Sequence, residues 1–348
     1  MNPRPVWLVP ALTGIAIVIL VFTATRFQNP GQEQRSAPGG LAPGPLVVVS
    51  RAPANQVERE PSPITLNPVG PAFDGQKALV HAQAQCDIGP RPIGSEALRK
   101  TGDYIATELR KQGWQVEFQE FTYQNIPIRN VIGTRQGRGS RSAIAVPTPA
   151  IPVPVRLFGA HYDTRKRADN DPVIANRDKP ILGANDGASG VAVLLELARV
   201  WSKVELPGEV RLVFFDAEDN GNLDGWPFSV GASYVAEHLP IKPEFVIVVD
   251  MIGDADQQIF MEHNSDPALQ QRIWKIAADL GYQQFFIPQK KYAMTDDHTP
   301  FLQKGMRAVD LIDFDYPYWH TLEDTCDKLS AASLEHVGRV LEKLISDE

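Results

Sequence analysis

The chemistry open to this chain is concentrated between residues 158 and 321, where single acids and histidines stand just past apolar runs. His161 and Asp163 follow the run 155–158. Asp186 sits in Gly183-Ala184-Asn185-Asp186-Gly187-Ala188-Ser189-Gly190. Glu218 and Asp219 follow the run that begins at Val210, Asp250 ends the run 245–249, and His320 lies in Trp319-His320-Thr321. In an open α/β sheet, ligands collect beyond the carboxyl ends of the strands, so acids repeated at those ends converge on one crevice. Left alone, so many carboxylates would repel and raise one another's pKa values. A divalent metal is the simplest remedy, and oxygen plus imidazole donors without thiolate suit zinc.

Each candidate also has a plainer reading. Period 2 puts His161 and Asp163 on one side of an extended chain, as a metal-binding histidine with a carboxylate fixing its tautomer, or as an ordinary polar strand end. Asp186 is a metal ligand, a helix N-cap, or both. Its glycine-rich surroundings are not a phosphate loop, because no Gly-Lys-Ser/Thr follows and a carboxylate would repel phosphate. Consecutive acids are usually just solvated. After Val213-Phe214-Phe215, however, Glu218 and Asp219 can divide the work, one binding metal while the other serves as general base or acid. In Met294-Thr295-Asp296-Asp297-His298, Asp296 is placed to share a hydrogen bond with another carboxyl, such as Asp250. Asp297 and His298 would organise the loop behind it. Trp226 and Trp319 are either core residues or walls of the substrate pocket.

These groups need a scaffold, and the patterning supplies one. Apolar periodicity and breakers predict helices over 76–85, 96–112, 191–201, 267–280 and 331–345. Strands are predicted over 114–123, 130–134, 153–160, 210–215, 245–249 and 308–312. Alternating strands and helices imply an α/β fold, a three-layer α/β/α sandwich around a mostly parallel, mixed central sheet. Roughly 270 residues suffice to bury one substantial core.

The first 72 residues have a different character. Residues 6–23 are almost wholly apolar between Arg4 and Arg26, about enough to cross a bilayer as a helix at ~1.5 Å per residue. No A-x-A cleavage site follows, so 1–25 reads as a membrane anchor, with a cleaved signal segment as the alternative. Residues 26–72 hold nine of the 29 prolines and read as a linker. The catalytic domain is then 73–348, outside the cytoplasm. A formal net charge of -8 argues against a nucleic-acid partner. The 2 cysteines are too few for a thiolate metal site. Cys86 and Cys326 would pair if the first and last helices of the domain pack together in an oxidising compartment; otherwise they are buried thiols.

Taken in order, Gly-Ala-His161-Tyr-Asp163, Ala-Asn-Asp186-Gly-Ala-Ser-Gly, Phe-Phe-Asp-Ala-Glu218-Asp219, Val-Asp250-Met-Ile-Gly and Trp319-His320-Thr321 resemble the zinc-dependent aminopeptidase family that includes the animal-type glutaminyl cyclases. The resemblance implies a zinc enzyme acting on peptide N-termini. By motif, Asp186, Asp219 and His320 would hold one zinc and Glu218 would be the acid/base. His161 and Asp250 match a second zinc's ligands in the two-zinc aminopeptidases, whereas in the cyclase branch the aspartate at the position of Asp250 joins a hydrogen-bond network. Asp296-Asp297-His298-Thr-Pro300-Phe301, Trp319 directly before His320, and Trp226 shortly after the acid pair lean towards the cyclase branch. Asp219 departs from the glutamate usual at that position, and residues 220–231 differ from the animal cyclases. Three functions follow: a glutaminyl-peptide cyclotransferase, an aminopeptidase, or an inactive ectodomain that binds a partner. The last has nothing behind it except the membrane segment.

Overall fold

The computed structural model describes residues 72–137 and 153–347. The predicted membrane segment 1–25 and nearly all of the predicted linker 26–72 lie outside the described residues. Among those described, no helix is long and apolar enough to cross a membrane.

Local signals start most of the elements. Asp74 caps helix α1 (Gly75–Ile88), its carboxylate accepting the backbone N–H groups of Gln76 and Lys77. Ser95 does the same for α2 (Glu96–Lys111) through Leu98. Strands β1 (Gln115–Tyr123) and β2 (Ile126–Arg135) form a hairpin that turns at Gln124 and Asn125, both left-handed with φ of 45° and 63°. A two-residue turn of that kind matches the strand twist. The chain then alternates through β3 (Val155–His161), α3 (Ala188–Trp201), β4 (Glu209–Phe215), α4 (Val230–His238) and β5 (Phe245–Asp250). It continues with β6 (Ile259–Glu262), α5 (Pro267–Asp279), β7 (Phe286–Tyr292), α6 (Thr299–Gln303), β8 (Ala308–Ile312) and α7 (Ala331–Ser346).

The main sheet has the order β1-β2-β4-β3-β5-β8, and β2 alone runs against the other five strands. Every residue of β3, β5 and β8 is buried, as strands covered on both faces require. One apolar cluster joins the sheet to α1, α2, α3, α5 and α7, and a second joins its other face to α4 and α6. The predicted mixed α/β architecture is therefore present. Burial of one large side chain such as Trp201 or Phe158, whose rings lie 4.9 Å apart, stabilises the domain by about 1.5–3 kcal/mol. Gly190 lets α3 approach the sheet: a Cβ there would stand 2.3 Å from the carbonyl oxygen of Val249.

Two strand elements went unpredicted. The parallel pair β6–β7 is short, and β7 carries Pro288, Gln289, Lys290 and Lys291 on a mostly exposed run, so no apolar alternation announces it.

Cys86, near the end of α1, is joined to Cys326, which opens a single 3-10 turn (Cys326–Lys328) ahead of α7. Helix α1 packs against α3 and α7, and this brings the two Cα atoms to 6.5 Å across 240 residues of chain. Replacing both cysteines by serine should lower stability by about 2–4 kcal/mol, read as a drop in the denaturant midpoint. An unchanged midpoint would show that packing alone holds α1 in place.

Candidate metal and catalytic site

The strand order creates the crevice. From β3 the chain goes through α3 to β4 on one side, then through α4 to β5 on the other side of β3. The loops beyond the ends of β3, β4, β5 and β8 therefore diverge around one point, the place where α/β sheets bind ligands. His161 is the last residue of β3 and Asp250 the last of β5. Glu218 and Asp219 lie just past β4, and His320 lies in the loop after β8. Ala217, Met251 and His320 all have left-handed backbones, with φ of 59°, 45° and 58°. Non-glycine residues rarely adopt that conformation; here Ala217 directly precedes Glu218, Met251 directly follows Asp250, and His320 is itself a site residue.

Two donor groups meet there. His161 Nε2 lies 3.1 Å from Asp250 Oδ1 and 3.2 Å from Asp186 Oδ1. His320 Nε2 lies 3.0 Å from Asp219 Oδ1 and 3.6 Å from Asp186 Oδ2. Asp186 is common to both sets, and all five residues are buried. Asp186 is not the N-cap of α3. That position belongs to Gly187, which makes no side-chain cap, and the Asp186 carboxylate turns to the two imidazoles instead. Gly187 has φ of 105°, and a Cβ there would lie 3.2 Å from the His161 ring.

The electrostatics are those of a site assembled for a cation. Burial and the neighbouring Asp186 raise Asp219 to about 6. Burial, with Asp296 and Asp186 close by, raises Asp250 to about 8 although His161 opposes it. Glu218 is pushed well above the usual carboxylate range, first by burial and then by Asp296, Asp297 and Asp219. His161 rises as well, which in its case favours the charged form. Burial disfavours its charge, but Asp250, Asp163 and Asp186 together raise it well above an ordinary histidine. Asp186 Oδ2 and Asp219 Oδ2 are buried with no hydrogen-bond partner. Orphaned carboxylate oxygens beside imidazole nitrogens fit a zinc ion in their donor types.

Supporting carboxylates hold this geometry through long-range contacts that no local pattern encodes. The carboxylate of Asp163 accepts the backbone N–H groups of Glu218 at 3.0 Å and Asp219 at 3.1 Å. Its Oδ1 is 3.6 Å from His161 Nδ1, so its short contacts fix the acid pair as well as flank the imidazole. Asp324 accepts the N–H groups of Asn185 and Asp186, and the Tyr316 hydroxyl. Asp169, 3.6 Å from His320 Nδ1, is gripped by Arg165, which also donates to the carbonyl oxygens of Asp219 and Gly221. Asp163 stood out in the sequence. Asp324, Asp169 and Arg165 did not, although Asp324 lies only four residues past His320.

A cavity of about 190 Å³ opens onto these groups. Glu218, Asp250 and Asp296 line it with Asp186, Asp219 and His320, and Phe228, Met251, Met294, Ile312, Phe314 and Trp319 wall it. Trp319 lies over His320 with ring centres 3.9 Å apart and meets Phe314 edge-on at 4.8 Å. Trp226 does not line this cavity. The turn at 220–226, in which Asn222 donates to the carbonyl oxygen of Trp226, folds its indole beside Ile128, Ala217 and Val230, edge-on to Tyr123. Phe228 occupies the wall instead. Asp297 and His298 lie fully buried behind Asp296 and do not face the cavity. A larger recess of about 610 Å³, between the start of α2 and the β1–β2 hairpin, contains none of the candidate residues.

Comparison with known proteins agrees with the geometry. Residues 144–345 match peptidase family M28. The chain is 24% identical over 295 residues to a glutaminyl-peptide cyclotransferase-like protein of Mus musculus, covering 74% of this chain and 72% of the mouse protein. The glutaminyl cyclase of Tannerella forsythia superposes with a TM-score of 0.71 at 33% identity, covering 80% of this chain and 100% of that one. A leucine aminopeptidase precursor from Bacteroides thetaiotaomicron superposes with a TM-score of 0.72 at 30% identity, covering 80% and 98%. The match spans well over half of the sequence and includes every candidate ligand, so this chain belongs to peptidase family M28 and is an enzyme of that family.

Proposed function

We propose that this enzyme is a zinc-dependent glutaminyl-peptide cyclotransferase, converting an N-terminal glutamine to pyroglutamate with release of ammonia. The observation that carries the reading is the cavity. It is small, walled by Trp319, Phe314 and Phe228, and its polar floor joins Glu218 to Asp250 and Asp296. A glutamine side chain must fold back onto its own amine to cyclise, and a tight aromatic pocket favours that conformer.

Asp186, Asp219 and His320 would hold the zinc, which when bound supplies Lewis-acid polarisation of the side-chain carbonyl. The chain's own residues perform the rest. Glu218 accepts a proton from the α-amine as the α-nitrogen bonds to the side-chain carbonyl carbon. The amide carbon–nitrogen bond breaks, and Glu218 passes the proton to the departing ammonia. Burial raises the proton affinity of Glu218, which suits a group that must both take and return a proton. Asp250 and Asp296 orient the amide, and Trp319 excludes water from the ring-closing conformer.

Aminopeptidase activity is the second reading, and one observation favours it. His161, Asp186 and Asp250 form a complete second donor set that shares Asp186 with the first. Two peptides separate the readings. Gln-initiated peptides should be cyclised with stoichiometric ammonia, and Leu-initiated peptides should be cleaved slowly or not at all. Rapid release of free leucine, with two zincs per chain and no ammonia from Gln peptides, would establish the aminopeptidase.

The same reading takes residues 1–25 as a membrane anchor, 26–72 as a proline-rich tether and 73–348 as a catalytic domain outside the cytoplasm. It is supported by the apolar run 6–23 and by the Cys86–Cys326 bond, since disulfides persist in oxidising compartments. Deleting 1–25 while supplying a cleavable export signal should move activity from the membrane pellet to the soluble fraction. Equal partitioning with and without the segment would remove the anchor.

A further inference from the structure

One buried cation has no part in the mechanism above. Arg91 stands between Pro90 and Pro92, just past α1, and is fully buried. Pro92 biases it towards extended backbone. Thr164 holds that backbone from both sides. Its Oγ1 accepts the Arg91 N–H at 2.8 Å, and its own N–H donates to the Arg91 carbonyl oxygen at 3.1 Å. The guanidinium makes five hydrogen bonds, all to carbonyl oxygens on three separate segments. Nε donates to Tyr162, the residue between His161 and Asp163, at 3.1 Å. Nη1 donates to Gln85 at 3.4 Å and Gly89 at 3.2 Å, where α1 ends, and to Leu182 at 3.0 Å. Nη2 donates to Gly183 at 2.9 Å.

Taking a guanidinium out of water without a carboxylate among its acceptors is costly. What the arrangement secures is the geometry of Asp186. Gly183 turns with φ of 64°, so tightly that a Cβ there would stand 2.6 Å from the Asp186 carbonyl oxygen and 2.3 Å from Thr164 Cγ2. Arg91 takes the carbonyl oxygens at the start of this turn, those of Leu182 and Gly183. Asp324 takes the N–H groups at its end, those of Asn185 and Asp186. The turn is thus held between a cation on its carbonyl side and a carboxyl group on its N–H side. Asp186 belongs to both donor sets, with Oδ1 3.2 Å from His161 Nε2 and Oδ2 3.6 Å from His320 Nε2. A shift of the turn therefore moves both sets at once.

We propose that Arg91 is a positioning residue for the metal centre. Its guanidinium ties the turn 182–186 to the end of β3 and to the end of α1, and so sets where the Asp186 carboxylate stands between the two imidazoles. It acts through Asp186 and touches no substrate. A planar fork with five donors can serve three segments at once, whereas an ammonium group is a single point with three. The assignment rests on the zinc reading of the site and is the same for a cyclase and an aminopeptidase.

The test uses the full chain and three measurements: the zinc Kd by chelator competition, the visible spectrum with cobalt(II) in place of zinc, and the thermal midpoint of the metal-free protein. Arg91→Lys keeps the charge but loses the fork. It should weaken zinc binding by about 10–100-fold, the usual loss when a partner behind a ligand is removed, and should change the cobalt spectrum. Trp201→Phe is the control, because Trp201 lies in the core at the opposite end of α3 from Asp186. It should lower the metal-free midpoint while leaving the zinc Kd and the cobalt spectrum as in wild type. If Arg91→Lys does not fold, Thr164→Val takes its place, since it removes the acceptor of the Arg91 N–H with little change in volume. The same weakening is expected of it. The assignment is overturned if the variant binds zinc as tightly as wild type or leaves the cobalt spectrum unchanged. It is equally overturned if Trp201→Phe weakens zinc to the same degree, which would make the effect one of overall stability. A wild-type chain that binds no zinc overturns the zinc reading and this assignment together. Tight wild-type binding with an unaffected variant overturns the assignment alone.

Discussion

Glu218→Gln should leave a folded, zinc-loaded protein that has lost most of its turnover, by on the order of 10²–10⁴-fold, the usual contribution of a positioned proton-transfer group. The site holds Glu218 through its backbone. Asp163 accepts its N–H, and Ala217 before it has a left-handed backbone. Amide for carboxylate at constant size therefore removes the proton acceptor without removing its support. The stability should move the other way or stay still. Glu218 is crowded by Asp296, Asp297 and Asp219, so a neutral side chain relieves repulsion. The expected signature is a thermal midpoint equal to or above wild type together with a collapse in kcat. A kcat near that of wild type would move the base elsewhere, with Asp296 next in line.

Zinc removal should have the other large effect. A strong chelator is expected to abolish activity and added zinc to restore it. His320→Ala should bind zinc far more weakly even at high metal concentration, because one of the two imidazoles in the site is lost. Stability follows the metal as well. An ion present at a thousand times its Kd stabilises the folded state by about 4 kcal/mol. Without it, Asp186, Asp219 and Asp250 crowd around the two imidazoles, with the Arg165 guanidinium 3.7 Å from Asp219 as a further counter-charge. Metal analysis and calorimetry on the same samples check both statements. Full activity in a chelated, metal-free sample would end the zinc reading.

Much of this was legible in the chain because short-range chemistry specified it. Strand ends are marked where apolar runs meet a charged residue, and His161, Glu218, Asp219 and Asp250 stand at such boundaries, so the structure brings them together with Asp186 and His320. What stayed hidden depends on contacts across the chain. Trp226 looked like a pocket wall from its nearness to Glu218 in sequence, but a turn reverses the chain between them and buries the indole in the hairpin cluster. Asp163 kept to the side of His161 that alternation predicts, yet β3 ends at His161, and beyond it the carboxylate reaches 55 residues ahead to the backbone of Glu218. Arg165 and Asp324 act over separations of 54 and 139 residues, where residue type gives no hint of the partner. The β6–β7 pair escaped because an exposed strand of glutamine and lysine has the composition of a loop.

The bond between Cys86 and Cys326 also has a meaning in time. Synthesis runs at about 5–20 residues per second, so Cys86 precedes its partner by an interval on the order of tens of seconds. During that interval α1 lacks both its covalent tie and α7, one of the two helices it packs against most closely. Helix α1 is therefore among the last parts of the described domain to be locked, although it is the first of that domain's helices to be made. A chain with just 2 cysteines has a single internal pairing, so Cys86 meets no wrong partner within its own molecule while it waits. The hazard is a neighbouring nascent chain. An oxidant alone completes this fold, with no shuffling step, provided that young copies are kept apart until residue 326 has emerged.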